Sequence, residues 1–352
     1  MQHNSPRFGI MLLLLAVLAF SSCVKENPKG NTAAKGVFLV NEGNFNFGNA
    51  EISFYNPATN NVSNNLFNTV NGYGLGDVAQ SLTIHDSIGF IVVNNSAKIE
   101  VVSLPGLHKI RTITISGSSP RYLLPVNDSI AYVSDLYAAK IHVVNYQKGT
   151  LLKQITGVPS WTEHLVMYGA DVWVEGRNYS SVHAPTTSLV KLNTVSHTLV
   201  QTYVLTGSNC NGIVLDKSNN LWVAVEQDTA HGVPSSLICY NQGMQQIKKL
   251  DFAFGHHPSN LCINGAKDKV YYLDKGVYCM DVMNVNLPDQ AFIAEDGRTL
   301  YGLGIDPGNG EVYLSDALDY VQPSVIFRYN SQGELQSTFH AGIITGNFSF
   351  KN

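Results

Sequence analysis

The chain has 352 residues, 44% of them hydrophobic, 10% aromatic and only 14% charged, with a formal net charge of -4. So much apolar content with so little charge excludes a disordered chain. The lack of a basic excess excludes nucleic-acid binding by phosphate neutralisation. Gly 30, Tyr 17 and Phe 15 favour strands and tight turns over helices, so a helical bundle is not expected, and the length suits two ordinary domains or one large β-architecture.

The first 22 residues read as a targeting segment. Arg7 supplies a positive start, and Ile10 to Phe20 is an apolar run too short to span a bilayer comfortably. Ser21-Ser22-Cys23 follows. Small residues before a cysteine resemble a bacterial lipoprotein signal, which implies that Cys23 is the acylated first residue of the mature protein. Residues 23–35, polar and holding Pro28 and Gly30, read as a lipidated tether.

From residue 36 onward one unit recurs: strand, tight turn, strand with an aromatic, loop, then a strand ending in Asn, Asp or Ser. The first-strand apolar column is Leu82, Leu124, Leu165, Ile213, Leu261, Leu303 and Phe348, and the next inward position reads Ile84, Val126, Met167, Leu215, Ile263, Ile305 and Phe350. The second-strand aromatic column is Phe38, Phe90, Tyr132, Trp173, Trp222, Tyr271 and Tyr313. The third strand closes at Asn56, Ser103, Asn145, Asn193, Asn241, Asp281 and Asn330. Each first-strand residue follows its predecessor by 41 to 48 residues, a spacing that fits four short strands per propeller blade. The expected fold of residues 36–352 is therefore all-β, a seven-bladed β-propeller of four antiparallel strands per blade. The first unit starts at its second strand, and the last leaves Gly346 to Phe350 over. The C-terminal strand is thus expected to close the first blade, which removes two open sheet edges.

Cys210, Cys239, Cys262 and Cys279 form no CxxC pair and have no histidine at metal-site spacing. Cys239 and Cys279 share a repeat position with Phe54, Val101, Val143, Lys191 and Arg328, so they read as small buried hydrophobes. Disulfides stay open for an exported chain. The Asp86-Ser87 and Asp216 to Asn220 turns mimic calcium loops, but turn chemistry accounts for them.

A site is expected on the face that carries the interblade loops and the second-to-third-strand loops. At the mouth of the inner strands stand Gln80, Tyr122, Glu163, Asn211, Ser259, Tyr301 and Gly346, mostly polar above two apolar columns. Flanking positions add Tyr73, Arg121, Trp161, His164, His256, His257 and Asn260, and the long loops add Phe45, Arg177, Tyr179 and Tyr320. Such a rim can hold a large polar ligand, with aromatics for flat contact and amides and carboxylates for orientation. Catalysis is not expected. Glu163 and His164, adjacent on a strand, should point to opposite sides and share no metal. No GxSxG occurs, and no metal or cofactor is expected.

The repeat, with Val92 to Val101 (VNNSAKIEV from Val93) and Ala131 to Asp135, resembles YncE or YVTN-like propellers. Cys23, the opening Val37 to Asn44 and the closing Thr345 to Phe350 narrow the resemblance to Bacteroidetes surface-propeller lipoproteins, among them cobalamin-capturing ones. That resemblance implies a non-catalytic lipoprotein, anchored in the outer membrane and exposed at the cell surface. It would capture a cobamide (vitamin B12) as transported ligand for a TonB-dependent transporter. The alternative is a protein-interaction or glycan-binding scaffold.

Overall fold

In the computed structural model, Met1, residues 35–178 and residues 186–352 are described. Residues 2–34, with the expected signal segment, Cys23 and the expected tether, and Tyr179 lie outside the described residues. The described residues from Lys35 to Asn352 carry the fold.

Twenty-eight described strands form seven four-stranded antiparallel sheets. Inner strands come from Thr345–Lys351 for blade one, then Ala79–His85, Pro120–Pro125, Trp161–Tyr168, Cys210–Leu215, Ser259–Ile263 and Leu300–Ile305. Each inner strand touches the next, and the seventh touches the first, so the ring is closed. The fastening is the expected one: Thr345–Lys351 pairs antiparallel with Gly36–Asn41, setting Phe348 opposite Leu39 and Phe350 opposite Val37. Outer strands are less regular. Those of blades one and six shrink to Asn61–Ser63 and Ile293–Ala294, and a short helix, Leu66–Asn71, follows the first of them.

The core divides by seams. Seven apolar clusters form, each joining residues of two adjacent blades, including one of blades seven and one. The seven second-strand aromatics lie in these seams and none is more than 3% exposed. Burying such a side chain contributes about 1.5–3 kcal/mol relative to leaving it in water. Opposite them on the third strand stand Phe54, Val101, Val143, Lys191, Cys239, Cys279 and Arg328. The two cysteines there are cross-strand partners of Trp222 and Tyr271, and all four described cysteines are free thiols. Burial pushes Cys239 and Cys262 up to about 12, which removes thiolate reactivity at neutral pH. Lys191 and Arg328 are accommodated by carboxylates, at 2.9 Å from Asp171 and from Glu311.

The third-strand closing residues earn their place through turns. The Asn193, Asn241 and Asn330 Oδ1 atoms each accept two backbone N–H bonds from the residues that follow, the Asx-turn arrangement. Asp216 likewise accepts the Ser218 and Asn220 N–H groups and the Trp222 indole N–H. Its role is structural, as turn chemistry implies.

Candidate functional site

Near its start every inner strand slips by one residue against its neighbour. The slip falls at Gln80, between Pro120 and Leu123, Thr162 and Leu165, Cys210 and Ile213, Ser259 and Cys262, Leu300 and Leu303, and at Gly346. A β-bulge bends the strand and re-aims side chains. Seven bulges at one level therefore make a rim at the mouth of the axial channel. Glu163 and His164 lie in one bulge, each with its own partner, Arg121 and Glu175; His164 lines the central cavity and Glu163 a separate, smaller one.

The channel holds a cavity of about 560 Å³. Its upper wall presents Glu42, Gln80, Tyr122, His164 and Tyr301, and its deeper wall Leu261, Ile263, Leu303, Ile305, Phe348 and Phe350. The two apolar columns below the mouth thus supply its floor. Arg121 Nε donates to both Glu163 oxygens, at 2.8 and 3.0 Å, and Nη1 donates to Gln80 Oε1. Tyr122 and His164 rings lie 4.1 Å apart between centroids. The His164 Nδ1 atom pairs with Glu175, whose other oxygen accepts the Gly212 N–H at 2.9 Å. Across the channel the Tyr301 hydroxyl donates to the Glu42 carboxyl, 3.1 Å from each oxygen.

These surroundings set protonation. Burial raises the Glu42 carboxyl to about 7, although Arg121 and the Tyr301 hydroxyl pull it down. Burial alone would lower the His164 imidazole, but the Glu175 and Glu163 carboxylates outweigh it and hold it above the usual histidine range. Burial and the Glu42 carboxylate push the Tyr301 phenol well up, so it stays a donor. Among the described residues no group of three or more His, Cys, Asp or Glu side chains is placed to hold a metal ion.

The other predicted residues divide. Asn211 sits in the ring but spends its amide on the Pro258 carbonyl, 3.1 Å away, tying blades five and six. Tyr320 stands beside the mouth, edge-on to Tyr301 at 5.8 Å. Phe45, 64% exposed, is at the tip of the adjoining loop, which is held by the Asn44 amide on the Tyr320 carbonyl. Trp161 and Arg177 are displaced outward: the guanidinium lies 4.0 Å over the indole, and Tyr137 stacks at 6.2 Å. His256 and His257 stand over the seam of blades five and six. They pair there with Asp274 at 2.5 Å and Glu226 at 3.1 Å instead of facing the channel. Tyr73 packs edge-on against Phe67 at 5.3 Å, with the Lys109 ammonium 5.2 Å above it, also away from the channel.

Two residues of the site were absent from the predicted set: Glu42, which lines the channel, and Glu175, which holds His164. Glu42 follows the second strand of blade one, outside the inner-strand column. Its backbone N–H bonds the Ile344 carbonyl at 2.9 Å, which turns the side chain over the ring. It has room because residue 346 is glycine: any Cβ there would collide with the Glu42 carboxylate.

A family profile, described as a domain of unknown function (DUF5074), matches residues 35–341. The chain belongs to the DUF5074 family. No curated protein matches this DUF5074 chain. Among solved structures it is similar to a quinonprotein alcohol dehydrogenase-like protein from Bacteroides thetaiotaomicron. The identity is 14% and the TM-score 0.72, over 91% of this chain and 79% of that one. It is also similar to virginiamycin B lyase from Staphylococcus aureus, at 12% identity and TM-score 0.56, over 74% and 83%. A third is Kuenenia stuttgartiensis hydrazine synthase, at 12% and 0.53, over 74% and 80%. At such identities the DUF5074 propeller shares a fold with these proteins, and a fold does not carry a function with it.

Proposed function

We propose that this propeller is a non-catalytic capture module, anchored through Cys23 at the outer-membrane surface. It takes a cobamide at its channel mouth and passes it to a TonB-dependent transporter. The observation that carries the reading is the convergence of Glu42, Gln80, Tyr122, His164 and Tyr301 above an apolar floor in one 560 Å³ cavity. That combination suits a ligand fringed with amides. The remaining ionisable groups favour binding over catalysis, because Arg121 is engaged by Glu163 and His164 by Glu175. A corrinoid exceeds the chamber, so it would lie across the mouth against Tyr320 and Phe45 and send one arm inward.

The full chain titrated with cyanocobalamin, followed by absorbance and calorimetry, tests this. Heat and co-elution at micromolar concentrations support it, and the absence of both removes the corrinoid. A protein-docking role draws on a separate observation. Phe45, Phe47 and Val321 are 64%, 76% and 65% exposed on neighbouring loops of the same face, apolar side chains that a docked partner would cover.

A further inference from the structure

We propose that Glu42 and the Tyr301 hydroxyl form the selectivity subsite of the channel, and that this subsite takes the primary carboxamide end of a neutral ligand whose apolar portion fills the chamber below. The inference rests on the reading of the channel as a ligand site and names the chemical group that the site selects.

The geometry supplies three parts. Tyr301 donates to both Glu42 oxygens at 3.1 Å, which fixes the plane of the carboxyl. Gly346, whose missing side chain leaves Glu42 its room, keeps the approach open. Directly beneath lie Leu303, Ile305, Phe348 and Phe350, so a ligand anchored at Glu42 must be apolar on its inward side.

The charges facing Glu42 choose among ligand ends. Arg121 from blade three already places a cation across the channel, and Glu163 from blade four an anion. His164, also lining the cavity, is held toward its charged form by Glu175. The neutral hydroxyls of Tyr122 and Tyr301 complete the wall. An ammonium would join Arg121 and His164 in a partly desolvated space, and a carboxylate would join Glu163 and Glu175; both are costly there. A carboxamide carries no charge and has one acceptor and two donors. A protonated carboxyl has one donor and an acceptor to match, so an amide that displaces the Tyr301 hydroxyl from the edge it holds, 3.1 Å from each Glu42 oxygen, can form a paired ring of hydrogen bonds. Glu42, raised to about 7 by burial, keeps that proton below neutral pH and loses it as pH rises through about 7.

The sign of the pH dependence follows. Amide binding uses the protonated carboxyl, so affinity falls as pH rises through about 7. An ammonium ligand would show the opposite trend. The Glu175 and Glu163 carboxylates hold His164 above the usual histidine range, so its titration can enter the profile and a substitution at Glu42 must accompany it.

The experiment is a ligand-observed NMR titration of the full chain with benzamide, benzylamine and benzoate at about pH 6 and about pH 8.5, repeated on Glu42→Gln. Benzamide is expected to bind best. Its affinity should fall about thirtyfold between the two conditions, because a carboxyl titrating near 7 is about nine-tenths protonated at the lower pH and only about 3% protonated at the higher. Glu42→Gln, with its permanently neutral amide, should hold benzamide within about threefold of the wild type near pH 6 and lose the pH dependence. Equal binding of benzylamine or benzoate, or an unaltered profile in Glu42→Gln, overturns the subsite. Benzamide binding without cyanocobalamin binding keeps the subsite and removes the corrinoid. Cyanocobalamin binding without benzamide binding removes the subsite and keeps the capture reading.

Discussion

The second-strand aromatics and the inner-strand mouth residues recur in the same seven sectors, yet the first set is nearly uniform and the second is not. Phe38, Phe90, Tyr132, Trp173, Trp222, Tyr271 and Tyr313 are all large, buried and pressed into a seam. Gln80, Tyr122, Glu163, Asn211, Ser259, Tyr301 and Gly346 range from glycine to tyrosine and from neutral to anionic. A seam position has one physical task, to fill the wedge between two twisted sheets at near-crystalline density. A mouth position faces a solvent-connected channel, where sector-by-sector variation costs little and ligand chemistry can differ around the ring. Ring stability and site chemistry should therefore be separable by mutation.

The strongest way to break that separation is to open the ring itself. Deleting residues 345–352 removes the inner strand of blade one, leaves Gly36–Asn41 paired on one side alone and takes Phe348 out of the seam with blade seven. The shortened chain is expected to lose cooperative melting and to aggregate through the freed edge. Size-exclusion chromatography and circular dichroism check it; a monomer with a sharp melting transition would show that closure is dispensable.

A single seam residue should cost less but still far more than any rim residue. Trp222 is 1% exposed, and its indole N–H bonds Asp216 at 3.0 Å. Trp222→Ala is expected to destabilise by about 3–5 kcal/mol through the cavity it leaves, with Asp216 losing a partner as well. Denaturant unfolding measures this, and a loss below about 1 kcal/mol would contradict the seam assignment.

The legibility of the sequence follows the same division. Spacing of 41 to 48 residues and the seam column gave the blade number, the strand order and the closing strand, because these depend on periodic burial. The third-strand asparagines were visible because their turns are local. The site was only partly visible. Gln80, Tyr122 and Tyr301 line the channel because they stand in the periodic column. Glu42 does not; it enters from a loop through space left by Gly346, which comes from the far end of the chain. His256 and His257 lay beside the column in sequence, but Asp274 and Glu226, 17 to 31 residues away along the chain, draw them to a seam. No local pattern encodes partners at that distance.

Trp161 offers the finest test, because the sequence places it at the mouth and the structure places it just outside. It opens the inner strand of blade four, but its indole is held between the Arg177 guanidinium at 4.0 Å and Tyr137 at 6.2 Å, and it takes no part in the channel wall. Trp161→Ala removes one cation–π and one aromatic contact, together worth about 1–2 kcal/mol, well below the Trp222 cost. Its effect on ligands should depend on their size. Benzamide, seated at Glu42, should bind with unchanged affinity, whereas cyanocobalamin, too large for the chamber, should weaken if it spreads over the rim. Paired NMR and calorimetric titrations of the variant read both. A loss of benzamide affinity would move Trp161 into the channel wall and merge the rim with the chamber. Unchanged cyanocobalamin binding would confine the captured ligand to the axis, with the Tyr137–Trp161 pair left outside the binding surface.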